Sequence, residues 1–298
     1  MSTLHIGTAG WGISSAASAN FPGEGSHLAR YGRVFNCAEI NTSFYRPHQP
    51  TTYARWADSV PDDFRFSVKL PRTITHELRL KHYAAELKRF ASEAGELKDK
   101  LGCVLVQLPP SLRFESALAD DFFRQLRDHF NGMLAFEARH ASWFGDAATA
   151  LLRASHITRV RADPPAGQPG PHVPTTEVAY IRLHGSPKIY YSDYAADFLS
   201  SLATELRTQA ANGSWCIFDN TASGAALLNA LDLQQRLQAS YRVQIKTSGR
   251  NPTGKNGETI PSQPGMTATA EINTGRKTVL RYLTKPIAKT FSEAMGER

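Results

Sequence analysis

Glu39 and Asn41, Glu137 and Arg139, and Arg182 and His184 form three polar pairs, each spaced two residues apart at the end of a short apolar run. Residues two apart on a β-strand share a face and lie about 6.5 Å from one another, so both members of a pair can point into one space. Lys69 and Gln107 close two further runs, and Asp163, Asp219 and Asn220 stand at or just past two more. Carboxylates, an imidazole and cations in one place are the materials of acid–base chemistry on an anion. Glu39 or Glu137 would serve as base, with His184 as acid or second base because its ordinary pKa lies near neutrality. Lys69, Arg139 and Arg182 would bind the anion. A lysine in that position could act as general base, Schiff-base nucleophile or anion partner, and carboxylate neighbours favour the protonated anion partner. The candidate catalytic set is therefore Glu39, Lys69, Glu137 and His184. Asn41 and Gln107 would orient hydroxyl or carbonyl groups. Tyr45, Arg46 and His76 lie on the loops that follow Asn41 and Lys69. The alternative is a structural network in which the charges pair only with each other. Buried ion pairs contribute unreliably to stability, however, so polar groups at the same end of successive runs favour a site.

The runs that must position these groups are Leu4–Gly7, Cys37–Ile40, Phe64–Lys69, Cys103–Gln107, Leu134–Glu137, Thr158–Arg161, Ala179–Leu183 and Trp215–Asp219. Strands buried on both faces read as such continuous apolar runs, and amphipathic helical stretches separate them. Helices are expected near 25–35, 50–58, 82–99, 117–130, 145–154, 193–212 and 222–238. Regular alternation of strand and helix predicts an α/β fold, a TIM-type (β/α)8 barrel over residues 1–239 whose strand ends meet at one face. In such barrels the last two loops often hold phosphate, and here Asn220 and Ser223 open the final helix with hydroxyl and backbone N–H groups. The glycines of Gly7–Gly12 have the wrong spacing for a dinucleotide loop and predict tight turning instead.

The chain has 298 residues and a formal net charge of +7, but residues 240–298 carry 10 Lys and Arg against 4 Asp and Glu, which leaves +1 for the rest. No basic stripe of the kind that tracks a phosphate backbone follows from that distribution. No run reaches the length of a membrane span, and no secretory signal pattern opens the chain, so a cytoplasmic protein with no membrane partner is expected. The three cysteines fall in apolar runs and read as reduced core thiols. His184, Asp163, Glu137, Glu39 and Asp219 are metal-ligand types, yet no H-x-H or H-E-x-x-H spacing occurs and cations surround them, so neither a metal nor another cofactor is expected.

These residues bring a family resemblance with them. Gly7–Trp11 (GTAGW), Glu39–Arg46 (EINTSFYR), Phe64–Lys69 (FRFSVK) with Ile74–His76 (ITH), Val104–Pro110 (VLVQLPP), Phe136–Trp143 (FEARHASW), Arg182–Gly185 (RLHG) and Phe218–Thr221 (FDNT) resemble, in that order, the YecE-like domain of unknown function 72. The resemblance implies a TIM-type barrel in a cytoplasmic protein and supplies no reaction. It departs at Asp219, where the family pattern usually reads Asn. Residues 241–298 are similar to the C-terminal end of HlyD-type membrane fusion proteins of type I secretion, through Pro264–Met266, Ile272–Leu280 and Tyr282–Ile287. They read as a basic strand–loop–strand–helix tail outside the barrel, with 248–263 mobile. The expectation is an enzyme, isomerase or hydrolase, acting on a small anionic substrate, phosphate or carboxylate. A second expectation, from another class, is a non-catalytic nucleic-acid or phosphate-binding protein using the same bowl.

Overall fold

The computed structural model describes residues 4–209, 211 and 213–238, all within one unit spanning Met1–Tyr241. The tail expected over 240–298, the boundary before it and the mobility expected of 248–263 lie outside the described residues. Nine strands alternate with helices among the described residues: β1 His5–Thr8, β2 Cys37–Ile40, β3 Arg65–Lys69, β4 Leu101–Gln107, β5 Met133–Glu137, β6 Thr158–Arg159, β7 Arg161–Asp163, β8 Tyr180–Leu183 and β9 Trp215–Phe218. The helices are α1 His27–Tyr31, α2 Thr42–Tyr45, α3 Pro50–Asp58, α4 Ala84–Gly95, α5 Ser116–His129, α6 Asp146–Ala154, α7 Ala196–Gln209 and α8 Ala225–Gln238. All fall where apolar spacing predicts except α2, which is too short to show a period. Capping follows ordinary chemistry: the Ser26 hydroxyl accepts the Ala29 N–H ahead of α1, and Pro50 opens α3 where its missing N–H costs nothing.

Every strand pairing is parallel, in two sheets of order β1-β9-β8-β7 and β2-β3-β4-β5-β6. Alternate residues serve two cores. Ile40, Phe66, Val68, Val104, Val106, Phe136, Leu183 and Phe218 pack outward against helix residues such as Leu87, Phe122, Leu152 and Leu233. The intervening Cys37, Cys103, Leu105, Ala135, Tyr180, Trp215 and Ile217 form a second, smaller cluster with Val160. Its members come from both sheets, which therefore face each other across it. Each such large side chain removed from water stabilises the fold by roughly 1.5–3 kcal/mol. All three cysteines are free and buried, and burial pushes the Cys216 thiol up to about 12.

The sixth predicted strand is divided at Val160. The Arg159 N–H donates to the Thr175 hydroxyl at 2.8 Å, and that hydroxyl donates to the Ile157 carbonyl. A connecting loop thus takes the hydrogen bonds that a continuous strand would give its neighbour. A comparable substitution stands between β1 and β2, which share one bridge, Ala9 with Glu39. The buried Tyr31 hydroxyl accepts the Thr8 N–H at 2.8 Å and donates to the Cys37 carbonyl at 3.0 Å. Backbones come very close there: a Cβ on Gly7 would lie 2.1 Å from the Cys37 oxygen, so only glycine fits.

Candidate functional site

Strand direction sets the site. Because all pairings are parallel, Glu39, Lys69, Gln107, Glu137 and Arg182 reach the same end of their sheets, and Gln107 lies in register with Glu137. On β8 the same-face positions Tyr180, Arg182 and His184 form a column, each buried. Arg182 is its centre. Its Nε and Nη2 donate to the two Glu39 oxygens at 3.0 and 2.7 Å, Nη1 donates to Glu137 at 2.6 Å, and Nη2 also reaches Asp219 at 3.0 Å. A planar guanidinium meets carboxylates in this forked way, and a lysine could not. Below it the Tyr180 hydroxyl contacts Glu39 at 2.9 Å and the Ser67 hydroxyl at 2.7 Å.

A second layer surrounds this knot. Gln107 donates to Glu137 at 2.8 Å, and Arg139 approaches the same oxygen through Nε at 3.0 Å and Nη2 at 2.9 Å. His184 Nδ1 lies 2.9 Å from Asp219, while its buried Nε2 sits 3.4 Å from Glu137 without making a hydrogen bond. Asn41 donates to Asp219 at 3.3 Å and keeps a buried Oδ1 with no partner. Burial works against ionised Glu137 and Asp219, but Arg182 and His184 outweigh it and hold both below the usual carboxylate range. For His184, burial and Arg182 oppose the cation, yet the Asp219 contact and the Glu137 carboxylate prevail and raise its pKa. Three carboxylates (Glu39, Glu137, Asp219) thereby face Arg182, Arg139 and His184.

Lys69 is the cation left over. It is 6% exposed, and its ammonium sits 4.1 Å from the centre of the Phe44 ring. Among the described residues that ammonium has neither a hydrogen bond nor an ion pair, while the Lys69 carbonyl accepts from the Ser43 hydroxyl at 2.6 Å. Burial and the Arg182 charge bring its pKa down to about 8, against the pull of Glu39, Glu137 and Asp219. Phe44 also meets the His76 ring, centroids 5.0 Å apart and nearly perpendicular, with His76 Nδ1 2.8 Å from the Thr75 hydroxyl. Burial and the charges of Lys69, Arg72 and Arg139 bring His76 down to about 4, so it is neutral at pH 7.

The structure thus gathers Glu39, Asn41, Lys69, His76, Gln107, Glu137, Arg139, Arg182 and His184, and it corrects several expected roles. Arg182 is not free to hold an anion, because three carboxylates occupy its nitrogens and no part of it is exposed. Tyr45 is 70% exposed and packs only on Phe44, and Arg46 is also exposed, so neither reaches the cluster. Asp163 is engaged by the Tyr194 hydroxyl at 2.9 Å. Asn220 is fully buried, donating to Ser192 and Asn229, and the Ser223 hydroxyl donates to the Tyr191 carbonyl. Both side chains fasten the β8–α7 loop to the start of α8 instead of facing a ligand. Sequence reasoning named Asp219 only as a strand-end carboxylate and metal-ligand type, and missed Tyr180 and Ser67. The last two stand two residues before Arg182 and Lys69, so the period-two pattern itself carried the signal. Among the described residues no group of three His, Cys, Asp or Glu side chains is arranged to hold a metal, and no helix is long and apolar enough to cross a membrane.

Comparison with known proteins gives one dominant likeness. The profile of a family described as "Protein of unknown function DUF72" matches residues 5–255. UPF0759 protein YecE of Escherichia coli K12 is 33% identical over 142 residues, covering 46% of this chain and 52% of YecE. The chain spans about half the length of the curated relatives it matches. The crystal structure of a DUF72 family protein from Thermotoga maritima superposes with a TM-score of 0.66 at 26% identity, covering 79% of this chain and 99% of that one. A 58-residue stretch, 20% of this chain, is 36% identical to leukotoxin secretion protein D of Mannheimia haemolytica, 12% of whose length it covers. That last match agrees with the HlyD-type resemblance.

Proposed function

The chain belongs to the DUF72 family of proteins of unknown function, and from the geometry of its strand ends we propose that it is an enzyme using acid–base chemistry on a small anionic molecule. The observation that carries this reading is Lys69, a nearly buried cation whose ammonium has no hydrogen bond or ion pair among the described residues, beside three carboxylates that already meet Arg182, Arg139 and His184. A buried unpaired charge is costly, and an anionic ligand would compensate it. Arg139, with 22% of its side chain exposed, would hold the ligand's carboxylate or phosphate alongside Lys69. His184, oriented by Asp219 through Nδ1, would exchange protons through Nε2, the arrangement a general acid or base requires. Glu39, locked on Arg182 and Tyr180, fits a supporting role better than that of base.

The two parallel sheets read as the two arcs of one TIM-type (β/α)8 barrel. The Val160 N–H, bonded to the Phe136 carbonyl at 2.9 Å beside the β6–β7 division, and the Tyr31 relay between β1 and β2 support that reading. In such a barrel the cluster sits at the C-terminal face, where these folds carry their active sites. Three buried free thiols suit a reducing, cytoplasmic compartment.

A thermal-shift screen against phosphorylated and carboxylated metabolites tests the proposal, using wild type, Lys69→Met and Arg139→Met. The expected result is stabilisation that rises with the logarithm of ligand concentration in wild type and disappears in both variants. Stabilisation by oligonucleotides instead, falling steeply with salt, would favour a nucleic-acid binder and overturn the enzyme reading.

A further inference from the structure

Lys69 and Arg139 are the two cations of this cluster not enclosed by three carboxylates, and they differ chemically. The Arg139 guanidinium stays charged at any working pH and is built to fork onto a carboxylate or phosphate. Lys69 carries an amine on a flexible stem, packed against Phe44, with no hydrogen bond among the described residues to hold its proton or occupy its lone pair. We propose that Lys69 is a nucleophile that forms a Schiff base with a small aldehyde or ketone bearing a carboxylate or phosphate, the anionic end being held by Arg139. This deepens the anion-site reading above and rests on it.

The surroundings match the chemistry that such a step needs. An amine attacks only when neutral, and with its pKa brought down to about 8 by burial and Arg182 a larger fraction of Lys69 than of an ordinary lysine is neutral near physiological pH. In the first step the Nζ lone pair bonds to the carbonyl carbon, and a proton passes from nitrogen to oxygen to give a carbinolamine. His184, whose pKa Asp219 and Glu137 raise, then donates a proton to the carbinolamine hydroxyl. Water leaves as the C–O bond breaks and the C=N bond forms, leaving a protonated imine on Lys69. No oxidant or reductant is required. The buried Asn41 Oδ1, which has no partner among the described residues, would accept from the carbinolamine hydroxyl or the departing water. Regenerated by hydrolysis, the amine would serve isomerase-type or lyase-type turnover equally.

The full-length protein can be incubated with pyruvate or dihydroxyacetone phosphate and sodium cyanoborohydride, then subjected to intact-mass analysis and peptide mapping. Reduction of the imine adds the mass of the probe less one oxygen atom. The expected result is a single dominant adduct at Lys69, formed on the order of tenfold or more faster than at the exposed Lys81 and Lys88 and slowed roughly tenfold by Arg139→Met. Mapping on wild type needs no variant to fold. Adducts confined to exposed lysines would overturn the proposal. If metabolites still stabilise the protein through Lys69 and Arg139, the anion site survives that failure; if they do not, both readings fall. A Lys69 adduct that forms as readily with acetone would overturn the anionic substrate class.

Discussion

Replacing Arg182 with methionine probes the cluster at its most informative point. The substitution keeps an unbranched apolar stem of similar reach and removes the guanidinium that three buried carboxylates share. Breaking a buried ion-pair network by deleting one partner costs about 3–5 kcal/mol, because the remaining charges stay buried without compensation. At about 2–4 °C per kcal/mol, that loss lowers Tm by roughly 6–20 °C. The pH dependence supplies a second check. In wild type Glu137 and Asp219 are held below the usual carboxylate range, so they contribute stability above that range and lose it as pH falls through their lowered folded values. Without Arg182, burial dominates and pushes the same groups up, so their unfavourable contribution grows as pH rises above the ordinary carboxylate value. The difference in stability between wild type and variant is therefore largest near pH 7 and shrinks toward about pH 4–5, where the orphaned carboxylates protonate. Urea denaturation of both proteins at the two pH values measures it. A difference below about 1 kcal/mol, or one independent of pH, would refute the reasoning by making the pairs equivalent to surface salt bridges.

Three further outcomes follow from the same geometry. His184 has a raised folded pKa, so its contribution is complete below the ordinary histidine value and lost as pH rises through the folded one; wild type loses more stability than His184→Gln between about pH 6 and pH 9, measured by urea midpoints. Gly7→Ala places a Cβ 2.1 Å from the Cys37 oxygen, and the forced separation of β1 from β2 costs about 1–3 kcal/mol or more by the same assay. Tyr31→Phe removes the hydroxyl between Thr8 and Cys37 and costs about 1–3 kcal/mol for each buried backbone group left unpaired, with faster hydrogen exchange at the Thr8 amide as its local signature.

Much of this organisation is legible in the chain because strand chemistry is local. Continuous apolar runs mark strands covered on both faces, and Glu39 with Asn41 or Glu137 with Arg139 can be assigned to a shared face from spacing alone. What is lost is pairing over distance. Nothing near Arg182 announces that Glu39, 143 residues away, and Asp219, 37 residues away, occupy its nitrogens, so its charge reads as available when it is spent. Asn220 and Ser223 mislead for the same reason: they look like a helix-opening anion turn, but the β8–α7 loop claims both side chains. The division at Val160 depends on Thr175 folding back onto the strand edge. The β1–β2 junction depends on a tyrosine from α1 standing in for a ladder. Asp219, legible in the chain only as a strand-end carboxylate and a departure from a family pattern, becomes the anchor of His184 once three dimensions are available.

The most direct test of a free, buried amine at an anion site is competitive acylation of Lys69, followed by mass spectrometry across a pH series with and without the best stabilising metabolite. The account predicts that Lys69 titrates near pH 8 and that the metabolite protects it while exposed lysines react unchanged. Titration in the ordinary lysine range with no protection would contradict it.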